Sequence, residues 1–370
     1  MKRAGTRAAV GAAALGAMSL VLAACGGSGD GGGDSTSGGT SDLSGSIAGA
    51  GATSQEAAMA GWIAGFTEAN PGVSVSYDAV GSGGGREQFI AGAVAFAGSD
   101  AALDADEVSG ATERCGSDVL ELPIYISPIA VVYNLPDVDA EHVQLSAETI
   151  ANIFNGTITN WNDAAIAAEN PGVTFPDLAV VPVHRSDESG TTKNFTDYLA
   201  QASDGAWTDE ASGDWPIQGG QSGQGTQGLI DVVAGAEGAI GYADASRAGD
   251  LGTVALQVGD AYVPVSAEAA ATAVDASPAA EGASDTQITI AIDRTTTEAG
   301  AYPLVLISYE IACQTYTDSA EAANVKAFLT YVASNDGQQR AADPTVAGSA
   351  PLSATLQGEV QAAIDTISAS

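Results

Sequence analysis

The sequence predicts an α/β fold with sheets covered on both faces. Three observations carry this. Short apolar or alternating runs take turns with helical patterns along the chain. The 370 residues, 45% of them apolar, suffice for about two domains and a buried core. No period of about 20–50 residues repeats, so a solenoid is excluded.

The elements follow in order. Ser46 to Ala48 reads as a first strand. The small-residue turn Gly49-Ala50-Gly51-Ala52-Thr53-Ser54-Gln55-Glu56 comes next, in which Thr53 and Glu56 fit a capping box. The helix it opens carries Met59, Trp62, Ile63 and Phe66 on one face and stops at Asn70-Pro71-Gly72. Val73 to Tyr77 alternates as a strand, and Val80-Gly81-Ser82-Gly83-Gly84-Gly85-Arg86 leads into a helix through Phe89, Ile90 and Val94. Ile129 to Tyr133 and Ala179 to Val183 are strand runs. Arg185-Ser186-Asp187-Glu188-Ser189-Gly190-Thr191-Thr192 then enters a helix marked by Phe195, Tyr198 and Leu199, and Leu304 to Ile307 is a late strand. Three of these turns meet a helix start, where unpaired N–H groups and the positive end of the dipole can hold an anion. One such turn is commonly only a cap; three in one chain point to an anion site.

Composition limits the partners. Forty-six Asp and Glu face 11 Lys and Arg, a net charge of −35, with no basic cluster. That balance excludes nucleic acid as a ligand and docking on an anionic membrane surface. Lys2, Arg3 and Arg7 are three of the eleven basic residues; without them, eight face 46 acidic ones, a net of −38.

Met1 to Arg7 is a basic n-region and Ala8 to Leu22 an apolar h-region of secretory-signal length, too short to span a bilayer. Leu22-Ala23-Ala24-Cys25 resembles a bacterial lipobox, so residues 1–24 are read as a lipoprotein signal peptide and Cys25 as the lipid attachment site. Residues 26–42 are nearly all Gly, Ser, Thr and Asp, a flexible tether with a reach of roughly 20–25 Å. The expected location is the extracytoplasmic face of the cell membrane, held only through the lipid. Export leaves Cys115 and Cys313 as an even pair in an oxidising compartment, either bonded or two separate buried thiols.

From about residue 45 to the C-terminus the motifs resemble those of the phosphate-binding proteins that serve ABC phosphate transporters. They are Gly49-Ala50-Gly51-Ala52-Thr53, Val80-Gly81-Ser82-Gly83-Gly84-Gly85, Gly98-Ser99-Asp100-Ala101, Ile153-Phe154-Asn155-Gly156 with Asn160-Trp161, Arg185 to Thr191, Trp215-Pro216 and Gly238-Ala239-Ile240-Gly241-Tyr242. The resemblance implies a type II periplasmic-binding fold, two α/β domains joined by two crossing strands with the ligand in the interdomain cleft. Domain I would be 43–128 plus 305–370 and domain II 129–304, with crossings near Pro123 to Asn134 and Ala301 to Leu306. Cys115 and Cys313 would then share domain I, which favours the disulfide.

The same resemblance assigns the phosphate site. Thr53 and Ser82 would supply hydroxyl and N–H donors, Ser54 chiefly its N–H, Arg185 a two-pronged cation, and Ser189, Gly190 and Thr191 further donors; Asp187 would support Arg185. Asp100 would accept the proton that phosphate still carries and sulfate lacks, so the site would select protonated phosphate. Glu188 departs from the pattern and is expected to point to solvent. No cofactor or metal is expected. The partners implied are inorganic phosphate and the permease and ATPase of an ABC importer, with the chain itself a monomer.

Enzyme readings find little support. There is no Gly-x-Ser-x-Gly elbow, no His-Glu-x-x-His and no Gly-Lys pair, and His142 and His184 are the only imidazoles. His184 adjoins Arg185 and is read as a neighbour of the site or a strand-end surface residue. Gly223 to Gly228 matches a dinucleotide pattern, but no strand is predicted to lead into it, and a structural turn is expected. The alternatives kept open are an extracellular phosphoesterase-like hydrolase and a phosphate sensor built on the same anion cradle.

Overall fold

A computed structural model describes residues 43–370 of the chain. The expected signal segment, Cys25 and the tether lie outside the described residues. In chain order the elements are β1 (Gly45–Gly51), α1 (Glu56–Ala69), β2 (Val73–Asp78), α2 (Ser82–Ile90), β3 (Phe96–Ser99), α3 (Ala105–Cys115), β4 (Val119–Tyr133) and β5 (Val143–Leu145). There follow α4 (Ala147–Phe154), α5 (Ala164–Glu169), β6 (Val181–Arg185), α6 (Gly190–Ala202), β7 (Gln221–Gly223), α7 (Gly225–Gly235), β8 (Ala239–Asp244), β9 (Gly252–Val258), β10 (Ala261–Val263) and α8 (Ala267–Asp275). The chain closes with β11 (Val305–Cys313), β12 (Thr315–Tyr316), α9 (Ser319–Ala333), α10 (Asn335–Ala342), α11 (Ala354–Asp365) and β13 (Ser368–Ala369).

β4 organises the sheet. All 15 of its residues are buried, the near-continuous apolar run of a strand covered on both faces. Val119 to Pro128 pair antiparallel with β11, whereas Ile129 to Tyr133 pair antiparallel with β8. One side of the sheet therefore runs β2, β1, β3, β11, and the other runs β8, β6, β7, with β4 common to both. β1 is parallel to β2 and β3, and β6 is parallel to β7 and β8, so the strand ends that carry the glycine turns face the same way within each half.

The last three helices return to the first half. Trp62 of α1 donates its indole N–H to Gly337 O at 2.8 Å, and Phe66 meets Phe328 edge-on at 5.4 Å. In the other half Trp161 donates to Gly238 O at 2.9 Å, joining the two motifs that contain them. Cys115, at the end of α3, is bonded to Cys313, the last residue of β11. The Arg114 guanidinium lies 4.5 Å over the Phe89 ring beside that bond.

Four expectations are corrected. The strand read at Ala179 to Val183 is β6, shifted two residues on, and the one read at Leu304 to Ile307 is the start of the longer β11. Thr53 and Glu56 form no capping box, since Gln55 occupies the cap position without a side-chain bond and the Thr53 hydroxyl is engaged elsewhere. A capping box does form at Asp104 and Glu107, at the head of α3. Finally, a short strand, β7, does lead into the Gly223 run, which is the start of α7 rather than an isolated turn.

Candidate functional site

The glycines of the turns allow close approach. A Cβ at Gly85 would lie 2.4 Å from Gly51 Cα, so α2 rests directly on the end of β1. A Cβ at Gly190 would lie 2.6 Å from both Asp100 Cβ and Ser82 Oγ, so the head of α6 sits against residues of the opposite half.

Asp100 follows β3 and is buried, 3% exposed. Its Oδ1 accepts from Ser54 Oγ at 2.6 Å and its Oδ2 from Thr191 Oγ1 at 3.0 Å. Its N–H donates to Ser82 Oγ at 3.1 Å, and its carbonyl accepts from Asn194 Nδ2 at 2.7 Å. Burial pushes its carboxyl above the usual range, opposed by the hydroxyls of Ser54, Ser308 and Thr191 and by the charge of Arg185.

Arg185 ends β6 and is also 3% exposed. Its Nε and Nη2 make a two-pronged pair with Asp187 at 2.9 and 2.5 Å, and Asp187 Oδ1 accepts from Gly225 N at 3.0 Å. Burial works against ionised Asp187, but Arg185 and the Gly225 N–H outweigh it and hold the carboxyl below its usual range. Two prongs of the guanidinium are thus fixed, and Nη1 makes no hydrogen bond among the described residues. Behind it, the Tyr242 phenol accepts from Arg185 N at 3.3 Å and bonds Thr192 Oγ1 at 2.8 Å. Burial, partly offset by Thr192 and Arg185, raises that phenol to about 12, so it stays protonated.

Ser189 serves first as the cap of α6, its hydroxyl oxygen accepting from Thr192 N at 3.2 Å while its N–H donates to Gly213 O. Of its expected donors, only the hydroxyl proton stays uncommitted. Thr53 Oγ1 lies 2.9 Å from Thr226 Oγ1 and accepts from Thr226 N at 3.1 Å.

Every residue expected in the site is therefore brought together: Thr53, Ser54, Ser82 and Asp100 from one half, and Arg185, Asp187, Ser189, Gly190 and Thr191 from the other. Four helix N-termini, those of α1, α2, α6 and α7, supply these turns, where sequence reading counted three. Chemically, this is a buried set of donors around one guanidinium, with the Asp187 carboxylate tied to that guanidinium and the Asp100 carboxylate as the acceptor.

Glu188 does not point to solvent. Its Oε1 pairs with Arg86 Nη2 at 3.2 Å, and its carboxylate fills the room left by Gly83 and Gly213, where a Cβ would come within 2.1 and 2.3 Å of its oxygens. Arg86 also bonds Ser99 Oγ at 3.0 Å and Glu107 at 2.8 Å, so it stiffens the residue before Asp100. His184 stacks on Trp215 at 5.0 Å, bonds Arg185 O at 2.8 Å, and takes the role of a neighbour.

Arg86, Asn194, Thr226 and Arg294 were not identified from sequence. Arg294 is buried, donates to Pro303 O and Val305 O at the entry of β11, and reaches Asn194 Oδ1 at 2.5 Å. A cavity of about 830 Å³ opens on this side, lined by Asp100, Lys193, Asn194, Asp197, Arg294 and Tyr309 among others. Neither Thr53 nor Arg185 lines it, so it adjoins the donor set at Asp100 only.

Comparisons with known proteins bear on the family and the fold. Residues 35–336 match the PBP superfamily domain model. The chain is 35% identical to the phosphate-binding protein PstS2 of Mycobacterium bovis BCG over 368 residues, 96% of this chain and 97% of that protein. It is 37% identical to the phosphate-binding protein PstS 3 of Mycobacterium tuberculosis over 332 residues, 87% of this chain and 89% of that protein. In fold it is similar to a high-affinity periplasmic phosphate-binding protein solved with phosphate, with a TM-score of 0.68 at 23% identity, covering 86% of this chain and 93% of that one. A phosphate ABC transporter substrate-binding protein from Clostridium perfringens, described as putative and solved with phosphate, aligns with a TM-score of 0.59 at 18% identity, over 84% and 100% of the two chains.

Proposed function

The chain belongs to the phosphate-binding proteins of the PBP superfamily, and from that membership we propose that it binds inorganic phosphate outside the cytoplasm and hands it to an ABC importer. Its fold is the type II periplasmic-binding fold, and its family is one of substrate-binding proteins rather than enzymes. The observation that carries the reading is the convergence of Asp100 and Arg185, each 3% exposed, amid hydroxyls and helix N-termini.

Two domains, 43–128 plus 305–370 and 129–304, form the two walls of the site in this reading. Support comes from β4, which exchanges β11 for β8 between Pro128 and Ile129. Phosphate sits among Thr53, Ser54, Ser82, Asp100, Arg185, Ser189, Gly190 and Thr191, with Asp187 fixing the guanidinium. Arg185 supplies the charge, Ser82 and Thr53 donate hydroxyl protons, and ionised Asp100 accepts from the ligand's own O–H. Sulfate, which has no proton to give, meets Asp100 as a repulsive acceptor and is rejected. The exported chain is a monomer held to the outer face of the membrane by lipid on Cys25, following the lipobox and tether in the sequence.

For a hydrolase on the same cradle, the neighbouring imidazole is not available as a base, because His184 is stacked on Trp215 and its Nδ1 is engaged with Arg185 O. Calorimetric titration of the purified protein with phosphate and then sulfate tests the reading. Tight phosphate binding with sulfate far weaker is expected. Absence of phosphate heat, or equal affinity for the two anions, would sink it.

A further inference from the structure

The Gly223 to Gly228 run has no part in the site as read from sequence, yet its central residue touches that site. Thr226 lies in the first turn of α7, 2% exposed. Its partner Thr53 is 173 positions away in the chain, across the two halves of the sheet. Gly225 beside it holds Asp187 with its N–H.

A hydroxyl carries one proton and two acceptor lone pairs. Thr226 N–H already occupies one lone pair of Thr53 Oγ1. The remaining contact, between the two hydroxyl oxygens at 2.9 Å, can run either way. If Thr53 donates to Thr226, its only proton is committed and it has nothing for an anion oxygen. If Thr226 donates, both lone pairs of Thr53 are filled and its proton is free to point at the ligand. Thr226 Oγ1 makes no other hydrogen bond among the described residues, so its proton is available for this. A fully acceptor ligand oxygen selects the second arrangement.

We propose that Thr226 is a positioning residue that fills both lone pairs of Thr53 Oγ1 and so makes Thr53 an obligate donor to the bound anion. The inference rests on the phosphate reading above and adds a residue to it. The bond also joins residues from the two halves of the sheet. Thr226 discriminates donors from acceptors, not phosphate from sulfate, since both anions present bare oxygens to Thr53.

The test is a double-mutant cycle on the full chain, read by calorimetry with inorganic phosphate and with sulfate, alongside thermal melts. Thr226→Val removes the hydroxyl and keeps the N–H, which leaves one lone pair of Thr53 Oγ1 unfilled beside the anion and its rotor unfixed, and should weaken phosphate about threefold to tenfold. The same change in a Thr53→Ala background should cost nothing further, and Thr226→Ser should return the affinity. The phosphate-to-sulfate ratio should not move. If Thr226→Val fails to fold, Thr226→Ala serves the same cycle with less crowding. Wild-type protein that binds phosphate while Thr226→Val binds within twofold, or loses as much with Thr53→Ala as without it, overturns the proposal alone. Wild-type protein that takes up no phosphate overturns the underlying reading and this inference together.

Discussion

Glu188 and Arg86 pair at 3.2 Å across the two halves of the sheet, 102 positions apart, with the Glu188 carboxylate slotted between Gly83 and Gly213. The pair holds the Glu188 carboxylate beside the turn that carries Ser189 and Gly190 and neutralises it there. Glu188→Gln should break this tie and speed phosphate release about twofold to fivefold, the worth of a partly exposed ion pair. Stopped-flow displacement measures it, and an unchanged release rate would show that the pair does not hold the halves together.

Arg185→Ala should weaken phosphate binding at least about 100-fold. The substitution removes the one guanidinium in the donor set and leaves Asp187 unpaired beside the anion, and breaking a buried charge pair costs about 3–5 kcal/mol. Arg185→Lys keeps the charge but cannot reproduce the two-pronged bond to Asp187, so it should fall between. Calorimetry that finds Arg185→Ala within threefold of wild type would place the cationic partner elsewhere.

Asp100→Asn should narrow the gap between phosphate and sulfate by about tenfold or more. The carboxylate oxygens that now accept from Ser54 and Thr191 become an amide, which has a donor to offer a bare sulfate oxygen. Phosphate should lose affinity as sulfate gains it. Competition titrations with both anions decide this, and a constant ratio removes Asp100 from the discrimination.

The parts of this site legible in the sequence were those that fall within a motif of the family it resembles. Arg185 and Asp187 lie two residues apart in one segment after β6, and their pairing was implied by the family resemblance, while the glycines of the Ser82 and Gly190 turns announce close backbone approach. Thr226, Asn194 and Arg294 meet their partners across long separations, and nothing about a threonine or an asparagine in a helix signals such a contact. The capping box read at Thr53 failed for a physical reason of the same kind: Thr226 competes for the hydroxyl, and a tertiary contact displaced a local one. β4 shows the same limit at the level of the fold. Its apolar run announces a buried strand, but not that its two ends serve different partners.

Glu310 carries the clearest pH dependence. It is fully buried on β11, paired in register with Gly98 of the Asp100 strand and Leu122 of β4. Burial, opposed only by a contact with Gln55, raises its carboxyl from 4.5 to about 8. Between those two values the folded chain keeps a proton that the unfolded chain releases, so stability should fall as pH rises from about 4.5 to about 8. Asp244, raised by burial to about 6, adds to the slope only at the acidic end. Glu310→Gln removes the titration while keeping the shape, and its advantage over wild type should grow across that window to an order of about 4 kcal/mol. Denaturant unfolding at several pH values from 5 to about 9 measures it, and parallel curves for the two proteins would mean that Glu310 is ionised in the fold. Its neutrality also bears on the site, because a protonated Glu310 adds no negative charge beneath the cradle at neutral pH. Phosphate affinity of Glu310→Gln should accordingly match wild type near pH 7 and exceed it near pH 9, where the buried carboxylate would otherwise charge.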